Sequence, residues 1–562
     1  MGLSPGTRAA PDVAALPRAR PQVREHRGAG SRSILIDEER DVRSVEKLDD
    51  WQPTTSSPST SAGRPRDDVA ANETLIALRN ALQLGGSLLF TWGIAIVMRL
   101  ILPRYLGPAR FGVLTFADAF AAAFFVALGL GVDVYARKHV SVRPGHASDF
   151  FGGVLVLRGI LTFGLIGAMA LIMRLTHRSP EVRVLVYLLA LTQFFFNVNS
   201  TLSAFLHAKG RVGGLSIVAI LSKVVWAGGL LVAIATRADL WAYPLAYVGS
   251  ESLKSAILFA LARRHLGLVI RVDRAATKAM VLASLPYYLN MFAITAYAKL
   301  DLALLGVIGT DSEVGWYAAA GAIAGLTLLL APLIEWALMP TFARAADRSR
   351  DELYDRVRWA TGLIFSIAIP ASLMVSVGAE LWVRFLFGAE FAPAGLALRI
   401  LAITFVLTYV NIIYAMTLIM LDRPWTLTLI SVGGLGVNVM LNTFLIPRGL
   451  AAVGDGGGGA ASALSLLGTE TFVSAAMLRV VGRGAFDGAT MRMLVKSLAA
   501  CGVVLVVDHL TARLAWARLG LDAFVYLALV LATGALRVRD LTRMVGAALA
   551  TRAAQRAPVQ RG

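Results

Sequence analysis

From Leu75 to Arg537 the chain is a succession of apolar runs separated by short polar breaks. Most runs are about 18–25 residues long, the length that carries a helix across a bilayer. The pattern predicts fourteen spans, near residues 75–101, 111–136, 150–173, 184–206, 213–235, 241–261, 281–307, 314–341, 359–378, 393–420, 426–446, 460–478, 497–508 and 519–536. The thirteenth run is too short as it stands, so its helix is expected to begin before residue 497. Pro286, Pro332 and Pro370 fall inside spans and are candidate kinks.

Composition agrees with an all-α polytopic membrane protein. Charged residues make up 16% of the chain, against roughly 25% in a soluble domain. Apolar residues make up 57%, and mean hydropathy is +0.66. The first 70 residues differ. They are rich in Pro, Ser, Arg and Asp, lack apolar periodicity and have no apolar core near Met1, so they read as a disordered cytoplasmic tail and not as a cleaved leader.

Charge adds orientation. The tail holds 11 basic and 11 acidic residues, so the net +18 belongs entirely to the rest of the chain. With the amino terminus inside, the six inside loops hold 20 Lys and Arg and the seven outside loops hold 10. That bias puts both termini in the cytoplasm. The excess positive charge suits anionic inner-leaflet lipid, an anionic cargo, or both. Cys501 is the single cysteine, which excludes an intrachain disulfide. There is no GxxxxGK[ST] loop and no zinc-type histidine spacing, so no cofactor or metal is expected, and the energy source would be a proton or sodium gradient. Every outside loop is short, which disfavours a glycan polymerase or glycosyltransferase with a large outer acceptor domain.

The chain also echoes itself. RLILPRYLGPARFGVL from Arg99 and DLALLGVIGTDSEVGW from Asp301 each run from a charge through apolar sequence to a glycine, a polar loop and a second glycine. The glycines are Gly107 and Gly112 in one copy, Gly309 and Gly315 in the other. Six spans separate the copies, so they keep the same orientation in the membrane, as parallel repeats do.

LPRYLGPARFG (102–112), AFLHAKGRVGG (204–214) and KLDLALLGVIGTDSEVGWYAAA (299–320) carry a family resemblance. LMPTFARAA (338–346), FGAEFAPAGLALRILA (387–402), VNVMLNTFLIP (437–447) and GAASAL continue it in order to about residue 480. The sequence resembles the polysaccharide-transporter branch of the multidrug/oligosaccharidyl-lipid/polysaccharide exporter superfamily. It departs from the family in the glycine-rich VGDGGGG (453–459) and in the long tail. The resemblance implies two six-helix lobes in pseudo-twofold repeat around a central cavity, at 71–262 and 279–480, with two further helices at 490–540 and a cytoplasmic tail at 541–562. It also implies alternating access in a bacterial inner membrane. The implied cargo is a polyprenyl-pyrophosphate-linked oligosaccharide, moved to the outer leaflet for O-antigen or exopolysaccharide export. Membrane lipids and other polysaccharide-assembly proteins would be its partners, with no nucleic acid and no catalysis.

Such a cargo calls for polar and cationic groups inside the spans. Asn80, Gln83, Ser87 and Thr91 share a face of the first span at spacings of 3, 4 and 4. Gln193 and Asn197, with Ser200, repeat the pattern in the fourth. Sugar hydroxyls want such partners, although neighbouring helices do too. Asn438 and Asn442 in the eleventh span suit helix packing at least as well. Arg158 lies deepest among the cations and is the leading candidate for the diphosphate. Arg99, Lys223, Lys254 and Arg399 lie nearer span ends, where a long cation can also snorkel. Glu251 and Glu335 are candidate ion-coupling carboxylates. Lys299 and Asp301 lie about 200° apart on a helix, so they cannot pair with each other. Asp301 shares its face with Tyr297 and Asn290, and one of the two faces is expected to line the cavity.

The rival within transport is a multidrug/cation antiporter of the same superfamily, which would favour buried carboxylates and aromatics over these cations. An assembly scaffold that uses the tail is a third reading.

Overall fold

The computed structural model describes residues 66–133, 140, 147–208, 212–514 and 516–534, with most side chains from Gly85 onward. The two tails proposed from the sequence lie almost wholly outside these residues. The chain divides into two units, Met1–Glu73 and Thr74–Gly562, and the second holds the membrane-spanning helices.

The described residues form helices and no strands. In chain order the helices are α1 Arg66–Phe125, α2 Ala147–Leu175, α3 Pro180–Ala208, α4 Val212–Ala235, α5 Ala242–Leu266, α6 Arg274–Ile308, α7 Asp311–Ala324 and α8 Ala331–Arg348. They continue with α9 Arg350–Val377, α10 Ala379–Phe387, α11 Ala394–Met420, α12 Pro424–Val453, α13 Gly457–Val481, α14 Gly488–Leu510 and α15 Trp516–Ala532. Eleven are long and apolar enough to cross a membrane. The predicted fourteen differ from this for three physical reasons. Spans one and two run together in α1 across a single non-helical residue, Gly107. Span eight is divided among α7, a tight turn at Gly325–Leu330 and α8. The fourteenth, α15, has only 17 residues. As expected, the thirteenth begins early, at Gly488.

One sequence expectation needs correction here. The outside loop predicted at 102–110 shrinks to Gly107, whose φ of 72° and ψ of 170° break the helix. Pro108 follows at the first helical position, where its missing N–H costs nothing. Pro332 stands at the second residue of α8, directly after the 3₁₀ segment Gly325–Leu330 that interrupts the eighth span.

Apolar surface gains little by leaving lipid for protein, so small residues and close backbone approach govern packing here. The echoed glycines show this. A Cβ on Gly112 would land on the carbonyl of Asp311, and one on Gly315 would land on the carbonyl of Pro108. Pro108 stands four residues before Gly112, and Asp311 four before Gly315, so the contact is reciprocal. Each helix start packs its glycine against the other's first turn. The Arg178–Asp311 ion pair, 3.1 Å long, lies on the same face. The Arg178 guanidinium also stacks 4.7 Å from the Phe116 ring. One apolar core, with Leu106, Phe111, Phe116, Leu305, Val314 and Phe387, joins the first and second halves of the chain on this side. Elsewhere the halves keep separate cores, apart from the start of α6.

Gly315→Ala should therefore destabilise the fold by about 1–3 kcal/mol, the usual cost of overpacking. A Cβ on Gly321, more than a turn further along α7, would meet open space. Thermal unfolding in detergent should show a lower midpoint for Gly315→Ala and no such drop for Gly321→Ala.

Candidate functional site

Between the two halves lies a basin of charge. On α4, the Lys223 ammonium sits 4.3 Å over the Trp226 ring and 5.9 Å from that of Tyr247. The charged groups acting on Lys223 are Glu251, Lys254 and Arg99. Those acting on Tyr247 are Asp118, Glu251 and Arg99. Arg99 is exposed on α1, and its guanidinium reaches toward Gly325 in the second half. Lys299 on α6 approaches Asp118 at 3.9 Å, each side chain a little over one-third exposed. Four cations thus face two carboxylates, with two aromatic faces beside them. The net charge is positive, and the rings offer surface on which a cation, or a sugar face, can rest.

Lys299 and Asp301 separate as their 200° spacing requires. Lys299 turns toward α1 and remains half-exposed. Asp301 turns the other way and is 2% exposed. Its carboxylate accepts from the Asn438 amide at 2.9 Å, the Asn442 amide at 2.7 Å and the Tyr317 hydroxyl at 3.2 Å. That cluster ties α6, α7 and α12 together, so the helix-packing reading of the two asparagines holds in this structure. Tyr297, on the Asp301 face, donates to Glu470 of α13 at 3.3 Å. Asn290 is helical, but its side chain lies outside the described residues.

Arg158 does not join the basin. It is 1% exposed and donates to the carbonyls of Leu128 (2.8 Å), Asn197 (2.9 Å) and Gly129 (3.3 Å), and to the Thr201 hydroxyl (3.0 Å). Asp133 is the counter-charge that acts on it. These bonds saturate the frayed end of the second span, where the helix gives way to a short turn at Val126–Leu128. The leading diphosphate candidate is therefore a structural anchor here. Asn197 returns its amide to the backbone carbonyl of Gln193 at 2.9 Å, within α3. Arg399 leaves the centre for Glu380 of α10, at 3.0 Å. Ser87 and Thr91 are buried on α1, and the Thr91 hydroxyl donates to its own helix at Leu88. The side chains of Asn80 and Gln83 lie outside the described residues. Glu251 is buried against Asn199 and 3.4 Å from Lys254, whereas Glu335 is exposed on α8.

Residues 77–346 match the family described as polysaccharide biosynthesis protein. The match covers just under half of the chain. With eleven helices among the described residues long and apolar enough to cross a bilayer, it is a multi-pass membrane protein. A protein described as a probable low-salt glycan biosynthesis flippase of Haloferax volcanii is 21% identical over 361 residues, covering 61% of this chain and 72% of that one. The inward closed structure of the lipid II flippase MurJ superposes with a TM-score of 0.63 at 12% identity, covering 82% of this chain and 99% of MurJ. An inward-facing multidrug resistance transporter gives a TM-score of 0.53 at 15% identity, covering 70% of this chain and 99% of that one. At such identities the two structures share the fold with this chain and nothing finer.

The glycine-rich stretch at 453–459 has a structural use. Gly456, at φ 83°, and Gly459 donate their N–H groups to the two Glu313 oxygens at 2.6 and 2.8 Å. The start of α13 thus holds the carboxylate of α7, as helix N-termini hold anions. The sequence pattern singles out neither Glu313 nor Glu470. A glycine run opening a helix is the available signal for an anion partner of Glu313. For Glu470, the signal is a lone acid flanked by Thr469 and Thr471 in an apolar run.

Arg158→Met leaves a ring of buried acceptors unpaired, which costs about 3–5 kcal/mol for a broken buried charge site. The yield of folded protein and its thermal midpoint should both fall. Lys223→Gln, at the half-exposed basin, should leave the stability within about 0.5 kcal/mol of the parent.

Proposed function

We propose that this protein is a flippase that carries a polyprenyl-diphosphate-linked oligosaccharide from the cytoplasmic to the outer leaflet, for surface polysaccharide export. The observation that carries this reading is the net-positive basin of Arg99, Lys223, Lys254 and Lys299 between the two halves. A diphosphate passing the hydrocarbon must exchange water for fixed cations, and flexible ammonium groups with carboxylates beside them can release it again. Trp226 and Tyr247 supply faces for sugar rings. The Haloferax volcanii relative, described as a glycan biosynthesis flippase, supports the same class of cargo. The likeness of fold to a multidrug transporter would equally suit an antiporter, but an organic cation would have to enter a basin that already repels it.

In this reading the glycine contact and the Arg178–Asp311 pair close the outer face, and the halves rock about them to open it. Both termini lie in the cytoplasm, the bilayer is a bacterial inner membrane, and an ion gradient drives the cycle. The work is translocation with no chemical step.

Translocation of a fluorescent polyprenyl-diphosphate oligosaccharide in liposomes tests this. The parent should move the lipid between leaflets. Lys223→Gln and Lys299→Gln should slow it about 10- to 100-fold, as loss of a charge-assisted contact implies. Uptake of organic cations without lipid movement would replace the flippase with the antiporter.

A further inference from the structure

The buried carboxylates Glu251 and Glu470 stand in two copies of one arrangement. In the first half, the Asn199 amide donates to the Glu251 side chain at 2.8 Å and to its carbonyl at 3.0 Å, and Ser255 donates to the Asn199 oxygen at 2.7 Å. In the second half, the Asn411 amide donates to the Glu470 side chain at 2.6 Å and to its carbonyl at 3.3 Å, and Ser474 donates to the Asn411 oxygen at 2.7 Å. The sequences agree, with GSESLKS at 249–255 and GTETFVS at 468–474, each bonded to an asparagine that follows a valine. Each copy pins one pair of helices, α3 to α5 and α11 to α13.

The copies differ in charge at one position. Three residues after the glutamate, the first copy has Lys254, 3.4 Å from the carboxylate. The second has Val473, which is 4% exposed. Among the described residues, no Lys, Arg or His lies within ion-pair distance of Glu470. The groups that do face it are the Tyr297 hydroxyl and the Asp301 carboxylate from α6, Asn411 and Thr408 from α11, and Ser474 through Asn411. Its neighbour Asp301 likewise has no cation at ion-pair distance among the described residues and is bonded to Asn438, Asn442 and Tyr317. A second negative charge there would be answered by neutral dipoles alone. Tyr297, half-buried on the face of α6 opposite Lys299, links this carboxyl to the helix whose other face lines the basin.

We infer that Glu470 is a proton-exchanging site, and that Glu251 is its charge-compensated structural counterpart. The cargo ion of this site is a proton: Glu470 takes it up as a carboxylic acid and releases it to water as a carboxylate. The use of that proton to drive transport rests on the flippase reading, but the proton site itself does not.

Infrared difference spectra of purified protein, titrated from about pH 5 to about pH 9, read buried carboxyls without any transport. The parent should show a protonated-carboxyl band that disappears as pH rises. Glu470→Gln, which keeps an acceptor for Asn411, should abolish that band, and Glu251→Gln should retain it. Lys254→Met removes the compensating charge from the first copy and should add a second titrating band, which is then lost in Lys254→Met with Glu251→Gln. The inference is overturned if no band titrates, if Asp301→Asn abolishes the band while Glu470→Gln keeps it, or if sodium at fixed pH moves the band and pH does not. Failure of lipid movement in liposomes with the band intact would remove the flippase and leave the proton site.

Discussion

Hydrocarbon offers a charge no partner, so each ion buried in this bundle must be answered by the protein itself. The interior is organised by how each is answered. Arg158 is answered by carbonyls and a hydroxyl, Glu313 by backbone N–H groups at a helix start, and Asp301 by two amides and a phenol. In each case the bonds run between separate segments of the chain, so satisfying the ion also fixes the packing. Isolated apolar contact could not do this, because lipid competes for the same surface on nearly equal terms.

That division sorts the ionic residues into two kinds. Those with every oxygen or N–H committed are joints, and their deep burial goes with that role. Those left half-exposed at the boundary between the halves, such as Lys299, Asp118 and Lys223, retain valence toward water or a bound molecule. Depth in the membrane therefore misleads as a guide to cargo. Arg158 is the deepest cation in the sequence and the most fully occupied in space.

The helical fold was legible because spans are long, apolar and regularly interrupted, a pattern that the bilayer enforces on any sequence. The repeat was legible at Gly107, Gly112, Gly309 and Gly315, and at Gly112 and Gly315 the cause is close backbone approach, which leaves glycine as its mark. The angular separation of Lys299 from Asp301 also follows from helix geometry alone. What stayed hidden depends on contacts between spans. Asn199, Asn411 and Glu470 look ordinary in apolar sequence until α3 meets α5 and α11 meets α13. The same limit hid the exit of Arg399 toward Glu380 and the capture of Glu313 by the glycine run. A one-dimensional pattern reports the solvent around each residue, whereas these pairings depend on which helices become neighbours.

The two halves share one arrangement yet do not carry the same charge. The first half supplies Arg99, Lys223 and Lys254 toward the basin, while the second buries Asp301 and Glu470 behind α6. Helix α6 stands between them, with Lys299 on one face and Tyr297 and Asp301 on the other. A helix with opposite faces in two electrostatic environments responds to a change in either. Neutralising the acids behind it alters the bonds of Tyr297 and Tyr317, and an anion in front of it competes with Asp118 for Lys299. Coupling in such a molecule needs no chain of intermediaries across the bundle. It requires only that one rigid helix have two positions, and that the charge on each side favour a different one.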